Sequence, residues 1–358
     1  MKIFIRSCAC ISPQNTFTNT SLLADPIEFA ESRLRAFEPD YSAFIDPKLI
    51  RRMSHIIKMG VAAAKQCLNN GKTTIPGAII TGTAYGCLEN TVSFLSRIIE
   101  LNEELLPPTA FIQSTHNTVA AQIALMLNCH NYNNSFVHKG ISFESALLDA
   151  IMLLNEKEAD NVLVGGIDEM TDTSYTILTR LGLYKQNSGP SSTLFSTNSK
   201  GTIGGEGAAF FLLTDQPSAD NLAELNGIHT FYKPKSTSSI EQIIESFIAK
   251  HGLNIEDIDL VITGKNGDRK NDDIYYQLSQ SLYKNSTLAN YKHLCGEYPT
   301  SSAFALWLAS NMIKSREVPS AVKERESSVK APKKILIHNH YLNAYHSLML
   351  VSACDPKL

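Results

Sequence analysis

The sequence contains no run of about 20 consecutive apolar residues, so a helix that crosses a bilayer is not predicted. It has no excess of one charge either, because 32 Lys and Arg oppose 35 Asp and Glu for a net charge of −3. This balance argues against nucleic acid or an anionic membrane surface as a partner. At the N-terminus Arg6 interrupts the apolar segment, which leaves it too short for a signal peptide. We therefore expect a cytoplasmic protein.

Cysteines are few, scattered and odd in number, with seven in the whole chain. Cys8 and Cys10 form a C-x-C pair, but no second pair follows to complete a zinc site or a disulfide framework. Three histidines lie near the C-terminus, at His338, His340 and His346. His338 and His340 would share one side of a strand, yet no further ligand with a recognised spacing accompanies them. We predict neither a metal nor another cofactor.

Apolar residues, by contrast, are plentiful. They make up 43% of the 358 residues, which predicts a buried core in two domains or in one large duplicated domain. Short apolar runs typical of strands covered on both faces alternate with helical patterns, and this alternation predicts α/β layers. The predicted strands are Lys2–Arg6, Gly77–Thr81, Asn161–Val164, Ala208–Leu213, Leu260–Thr263, Lys334–His338 and Ser347–Val351. The predicted helices are Arg51–Leu68, Asn117–Leu127 and Ser142–Leu154.

A glycine-rich segment precedes the fourth predicted strand. Gly204, Gly205 and Gly207 surround Glu206 and are flanked by apolar residues, which predicts tight turns where backbone approaches backbone. We expect this segment to form the floor of a site without taking part in chemistry.

Four segments, in chain order, resemble the β-ketoacyl-acyl carrier protein synthases, which have the thiolase fold. The segments are Arg51–Ser54 with Gly60–Ala64, Pro108 with Ser114 and Asn117–Leu125, Ala159–Gly166, and Lys200–Leu213. The resemblance implies an α/β fold of two duplicated halves in five layers, α-β-α-β-α. It places the N-terminal half at residues 1–215 and the C-terminal half at residues 216–358.

The resemblance also shows that the family's catalytic set is missing. A condensing enzyme of this family needs a cysteine at a helix N-terminus and two histidines that stabilise an enolate oxygen. Gly140 stands at the cysteine position, Gly264 at the first histidine position and Glu297 at the second. Lys292 of the second histidine motif is retained, whereas the family's terminal glycine-rich turn is degraded to Asn339–His346.

This pattern resembles the chain-length-factor subunits that pair with a competent ketosynthase. Ser142–Leu147 and Lys292–Thr300 make partners from aryl-polyene and dialkylresorcinol pathways the nearest resemblance. The implied function is a non-catalytic subunit that shapes the acyl tunnel of a partner ketosynthase. The implied partners are that synthase or a second copy of the chain, with acyl carrier protein reached through the complex. The acyl chain length and the starter unit stay open.

Two aromatic residues are candidates for closing such a tunnel. Tyr85, within Gly82–Glu89, resembles the family's tunnel gate. Phe94 lies nine residues further on and would point away from Tyr85 on a continuous helix, so it contributes only if Tyr85 precedes the helix. The alternative is that both are ordinary core aromatics.

Two other functions stay open. One is an active acyl-transferring enzyme with a displaced nucleophile, either Cys295 beside His293 and Glu297 or Ser142 beside His138 and Glu144. On a strand, the first group would share one face. In the second group, however, we favour a Ser142 helix cap and a Glu144 that meets the positive end of the helix dipole. The other function is a homodimeric scaffold that binds acyl carrier protein without a ketosynthase.

Overall fold

The computed structural model describes residues 1–18, 21–106, 108–186, 189–197, 199–324 and 329–354. Its strands are β1 (Phe4–Ile11), β2 (Arg33–Leu34), β3 (Ala78–Gly82), β4 (Tyr132–Phe136), β5 (Asn161–Asp168), β6 (Gly204–Gly205), β7 (Gly207–Thr214), β8 (Ala223–Tyr232), β9 (Leu260–Thr263), β10 (Leu288–Asn290), β11 (Lys334–Tyr341) and β12 (Tyr345–Ser352). Its α-helices are α1 (Pro47–Ile50), α2 (His55–Asn70), α3 (Leu88–Glu100), α4 (Pro108–Gln113), α5 (Thr118–Leu127), α6 (Ser142–Asn155), α7 (Asp172–Arg180), α8 (Thr237–Ala249), α9 (Arg269–Gln280), α10 (Lys292–Cys295) and α11 (Ser302–Ser315).

The strands repeat one topology twice. Ten of them are hydrogen-bonded in the order β10-β9-β11-β12-β8-β1-β7-β5-β3-β4. In the N-terminal half, β3 lies parallel between β4 and β5, and β7 and β1 follow antiparallel. In the C-terminal half, β9 lies parallel between β10 and β11, and β12 and β8 follow antiparallel. The two halves therefore share one strand order, and β1 and β8 join them. The division of the chain at residue 215 stays a prediction; it falls between β7 and β8.

Helices cover both faces of each half. Helices α2 and α5 pack on one face of the N-terminal strands, and α8 and α9 pack on one face of the C-terminal strands. Between the halves lie α6 and α11, and α11 contacts strands of both. Side chains alternate accordingly: Leu163 points to the outer helices, whereas Val162 and Val164 point to the central ones. The predicted α-β-α-β-α arrangement is confirmed, and the double coverage explains why the strands are apolar without interruption.

Most predicted elements are present with shifted ends. All seven predicted strands overlap observed ones, and Leu260–Thr263 coincides with β9. The first predicted helix is wrong at its start, because Arg51–Ser54 forms a turn and α2 begins at His55. Strands β2, β4, β6, β8 and β10 were not predicted. The β4 sequence, YNNSF, contains two asparagines, which have low strand propensity, and its edge position leaves much of it exposed.

Candidate functional site

A tyrosine packs against Gly140, the residue predicted to stand at the nucleophile position. Gly140 lies in the 3₁₀ turn Lys139–Ile141, directly before α6. The side chain of Tyr341, at the end of β11, packs against its Cα. A Cβ atom added to Gly140 would lie 2.2 Å from the Cβ atom and 2.7 Å from the Cγ atom of Tyr341, well inside van der Waals contact. A cysteine at position 140 therefore does not fit while Tyr341 occupies this place.

The first histidine position is filled by polar groups. A Cβ atom added to Gly264 would lie 2.3 Å from Oδ1 of Asn339 and 2.8 Å from the hydroxyl of Tyr275. Both groups are already hydrogen-bonded: Tyr291 donates to Oδ1 of Asn339 at 3.0 Å, and Tyr275 donates to the carbonyl of His338 at 3.2 Å. The site thus has a satisfied buried network where an imidazole is expected.

The second histidine position carries a paired carboxylate. The ammonium nitrogen of Lys292 lies 2.7 Å and 3.0 Å from the two carboxylate oxygens of Glu297, and Asn266 donates to Oε2 at 2.6 Å. Lys292 is fully buried, and Glu297 is 6% exposed. A fixed carboxylate repels the negative charge that an enolate develops, whereas an imidazole N–H would stabilise it. The retained lysine is therefore paired with the Glu297 carboxylate.

The glycine-rich segment supports this pair through its backbone. A Cβ atom added to Gly205 would lie 1.9 Å from the carbonyl oxygen of Cys295, which confirms the predicted approach of backbone to backbone. The amide of Gly205 donates to the carbonyl of Glu297 at 3.1 Å. Nearby, the Glu206 carboxylate accepts hydrogen bonds from the amides of Ala36 and Met170.

Outside this floor, His55 lies between two carboxylates. It is 3.2 Å from Glu206 and 3.2 Å from Glu38. Burial alone would lower the pKa of His55, but the hydrogen bonds to Glu206 and Glu38 outweigh it and raise the pKa to about 10. This charged cluster holds α2 against the glycine-rich segment.

A small, partly enclosed chamber remains beside Gly140 and Glu297. Its volume is about 40 Å³, which suits a few water molecules and no acyl chain. Its lining includes Tyr85, Tyr184, Asn266, Glu297, Tyr298 and Tyr341. A wider cleft of about 880 Å³ lies outside it and shares Leu183, Asp268, Asn271 and Leu342 with its wall.

The two predicted gate residues occupy different places. Tyr85 lies in the loop between β3 and α3 and lines the chamber, with its hydroxyl 3.4 Å from that of Tyr341. Phe94 lies on α3 and contacts Phe111, with the ring centroids 5.3 Å apart. The condition set for Phe94, that Tyr85 precedes the helix, is met, but Phe94 does not line this chamber. The gate role of each residue stays a prediction.

The serine candidate does not sit in a catalytic triad. The hydroxyl of Ser142 accepts a hydrogen bond from the backbone amide of His138 and donates to the carbonyl of Lys139, both at 2.8 Å. It is the first residue of α6, whose N-cap is Ile141, so the predicted cap is wrong; Ser142 braces the preceding turn instead. Glu144 accepts a hydrogen bond from Ser347 rather than contacting a histidine. Burial raises the pKa of Glu144, which disfavours the charged form expected at a helix dipole.

The cysteine candidate is enclosed. Residues 292–295 form the short helix α10, so His293, Cys295 and Glu297 do not share one face of a strand. The Cys295 thiol is fully buried and lies 3.2 Å from the carbonyl of Gly296. Burial raises the pKa of Cys295 well above its usual value, whereas a nucleophile needs a lowered one. Its environment therefore disfavours the displaced-nucleophile hypothesis.

The C-terminal histidines lie in the core of the C-terminal half. His338 and His340 alternate along β11, and His340 pairs with His346 of β12. All three are fully buried. Among the described residues, no group of three or more His, Cys, Asp or Glu side chains is arranged to hold a metal ion. None of the described helices is long and apolar enough to cross a membrane.

Comparison with known proteins agrees with this geometry. Residues 31–198 match the family model for the N-terminal domain of β-ketoacyl synthases. Among curated proteins no sequence match is found. The structure is similar to "The ishigamide ketosynthase/chain length factor", with a TM-score of 0.81, 17% identity and coverage of 98% of this chain and 99% of that one.

Two further solved structures have the same fold. A β-ketoacyl synthase from Burkholderia phymatum gives a TM-score of 0.80 at 13% identity, covering 99% of this chain and 100% of that one. A type II polyketide acyl carrier protein in complex with its ketosynthase, AntDE:AntF, gives 0.73 at 15% identity, covering 98% and 99%. The chain has the thiolase-like fold of these structures, and residues 31–198 are similar to the N-terminal domain of β-ketoacyl synthases.

Sequence reasoning missed the residues that fill the site. Tyr341, Asn339 and Tyr275 were not singled out as site residues. The available signal was a change in residue size at two places. The predicted catalytic positions 140 and 264 carry glycine, whereas bulky residues replace the family's glycine-rich turn at Asn339–His346. Such an exchange predicts that one segment has moved into the space left by the others.

Proposed function

We propose that this chain is a non-catalytic, chain-length-factor-like subunit that pairs with a ketosynthase and shapes its acyl tunnel. The observation that carries the proposal is the Tyr341 side chain in the place of the nucleophile. Asn339 and Tyr275 at Gly264, and Lys292 at Glu297, fill the two remaining positions. A site that has merely lost its reactive groups would keep an open pocket, whereas here about 40 Å³ remain.

A partner surface is available beside β4. This strand ends the row of ten, so one side of its backbone is unpaired. Helices α3 and α4 carry no buried residue. Their apolar side chains are exposed, including Leu95, Ile99, Phe111 and Ile112. An unpaired edge beside exposed apolar side chains is typical of an interface. We define the surface of α3, α4 and β4 as the partner face and assign it to a ketosynthase of the same fold.

The solved relatives support this kind of partner. One is described as a ketosynthase with a chain length factor, and another as an acyl carrier protein bound to its ketosynthase. By extension, carrier protein reaches this chain through the complex, and Tyr85 limits the length of the growing acyl chain. The narrower proposal is a partner in aryl-polyene or dialkylresorcinol synthesis, at work in the cytoplasm.

The experiment is co-purification with a ketosynthase from a neighbouring reading frame, followed by mass analysis of the products. We expect a stable complex, and Tyr85→Ala is expected to lengthen the products. Tyr232→Ala serves as the matched control, because this tyrosine is 56% exposed on β8 and away from the chamber. Unchanged product lengths with Tyr85→Ala would remove the gate from the proposal.

The non-catalytic role is tested separately with the chain alone. No acyl transfer is expected. Transfer by the purified chain that is abolished by Cys295→Ala or Ser142→Ala would replace the proposal with a displaced-nucleophile enzyme.

A further inference from the structure

One buried carboxylate connects the Tyr85 loop to the opposite wall of the chamber. Asp168, the last residue of β5, is 1% exposed. Its Oδ1 atom accepts hydrogen bonds from the Thr83 hydroxyl at 3.0 Å and the Ala84 amide at 2.8 Å. Its Oδ2 atom accepts hydrogen bonds from the Thr300 amide at 3.1 Å and the Thr300 hydroxyl at 2.8 Å. The four donors satisfy both oxygens.

These donors belong to the two halves of the molecule. Thr83 and Ala84 immediately precede Tyr85, in the loop that follows β3. Thr300 follows Tyr298 and Pro299, which line the same chamber from the C-terminal half. Because each oxygen holds one of the two segments, displacement of either segment leaves a buried carboxylate oxygen without partners. That penalty makes the arrangement rigid.

No sequence motif pointed to this residue, and the site described above does not contain it. Tyr85 itself is half-buried, and the hydrogen bond of its side chain is a long one, 3.4 Å to the hydroxyl of Tyr341, so hydrogen bonding of the side chain contributes little to its position. The position of its ring follows from the backbone of residues 83–87. That backbone is held at Ala84 by Asp168 and at Gly86, whose amide donates to the Thr83 hydroxyl at 3.0 Å.

We propose that Asp168 is the positioning residue that sets the Tyr85 ring against the C-terminal half, and thereby sets the acyl chain length that Tyr85 permits. The inference rests on the proposed gate role of Tyr85. Its structural part, the fastening of residues 83–87 to Thr300, stands independently of that role.

The first test is hydrogen–deuterium exchange on the isolated chain. Asp168→Asn replaces one acceptor oxygen with an N–H₂ group that faces a backbone amide and a threonine hydroxyl; the amide bond is lost, and the hydroxyl must turn to accept. We expect exchange in peptides covering residues 83–89 and 298–302 to become about tenfold faster. Asp172→Asn is the control, because Asp172 is an exposed aspartate on α7. Unchanged exchange in both peptides overturns the inference.

If Asp168→Asn fails to fold, a variant that removes fewer hydrogen bonds provides the same test. Thr300→Val removes only the hydroxyl donor and keeps the amide bond. It is expected to accelerate exchange in the same two peptides by a smaller factor, about threefold. Equal acceleration across the whole chain would indicate general destabilisation and would also overturn the inference.

The second test uses the complex with the ketosynthase. Asp168→Asn is expected to shift product lengths in the direction of Tyr85→Ala, and the double variant is expected to match Tyr85→Ala alone. A further shift in the double variant contradicts action through Tyr85. If exchange accelerates but neither single variant changes the products, the fastening is supported and the proposed gate function fails.

Discussion

Tyr341 and Gly140 fit together as a pair, although 201 positions separate them in the sequence. The ring of one occupies the space beside the Cα atom of the other, and a Cβ atom at position 140 would lie 2.2 Å from that of Tyr341. The end of β11 has thereby taken over the space in front of α6. The glycine at position 140 is therefore part of a packing arrangement with Tyr341.

Coupling between these two positions can be measured. Gly140→Ala overpacks the site and is expected to lower the free energy of unfolding by about 2 kcal/mol. Tyr341→Gly removes a buried ring and is expected to cost about 4 kcal/mol. The double variant should cost less than their sum by at least about 1 kcal/mol, because the added methyl group enters the vacated space. Urea denaturation of all four proteins gives this difference.

The control is a second double-mutant cycle, which combines Gly140→Ala with Tyr283→Gly. Tyr283 is buried in the C-terminal outer core, so these two effects should add. Additive effects at Gly140 and Tyr341 would contradict the packing described here.

The buried pair of Lys292 and Glu297 predicts an asymmetric response to substitution. Glu297→Gln leaves a fully buried ammonium without its counter-charge and is expected to destabilise the fold by about 3–5 kcal/mol. Lys292→Met leaves the carboxylate unpaired, with a similar cost. The double variant should be more stable than either single variant, which chemical denaturation can test.

A surface pair provides the comparison for this experiment. Lys72 and Asp220 lie 3.7 Å apart, with side chains 83% and 70% exposed. Lys72→Met is expected to leave the unfolding midpoint unchanged. A cost for Glu297→Gln as small as that of Lys72→Met would mean that the buried pair is not formed.

Acid should weaken the fold through the C-terminal histidines. Burial lowers the pKa of His346 to about 4, against about 6.5 in an unfolded chain. Its neutral form therefore stabilises the fold fully above pH 6.5, and this contribution falls as the pH drops towards 4, by about 3 kcal/mol. His346 stacks on Phe231 with ring centroids 4.8 Å apart, so His346→Phe retains the contact without the titration.

The measurement is the difference in unfolding free energy between the parent and His346→Phe across this pH range. A difference is needed because burial raises the pKa of Glu169 to about 7 and that of Asp168 to about 6, and these groups oppose the histidines. Below pH 6.5 the free energy of unfolding of His346→Phe should rise relative to that of the parent. A constant difference from pH 7 to pH 4 would show that His346 does not titrate in this range.

The partner face predicts a variant that folds normally but fails to assemble. Ile99 on α3 is 79% exposed, so Ile99→Asp should leave the thermal midpoint unchanged while it places a charge in the interface. Co-purification with the ketosynthase should fall at least about tenfold. Ile75→Asp, at a residue 49% exposed in the connection before β3, is the control. Equal capture of both variants would place the interface elsewhere.

Local patterns were sufficient for the elements that are covered on both faces. Leu260–Thr263 is apolar because helices lie on either side of it, and the same run could be read as a strand without further information. Strand β4 lacks such a pattern, because its polar sequence lies at the edge of the sheet. Helix α3 has the amphipathic repeat of a helix, so this signal was available in the sequence and was not used.

The candidate site divides along the same line. Resemblance to the family's motifs places its three altered positions at Gly140, Gly264 and Glu297, and that placement stays a prediction. What fills them could not be predicted, because Tyr341 and Asn339 reach Gly140 and Gly264 across the whole fold. Ser142 illustrates the remaining error: the residue type suggested a helix cap, but the hydroxyl is used by the turn before it.

The floor of the site also restricts how this chain can change. Two alternate residues of β11, Asn339 and Tyr341, pack against Gly264 and Gly140. The packing of this strand therefore requires a residue without a side chain at both positions. A side chain introduced at position 140 or 264 enters space that Tyr341 or Asn339 already occupies, and so destabilises the fold. Any larger residue at either position therefore needs a compensating, smaller residue on β11.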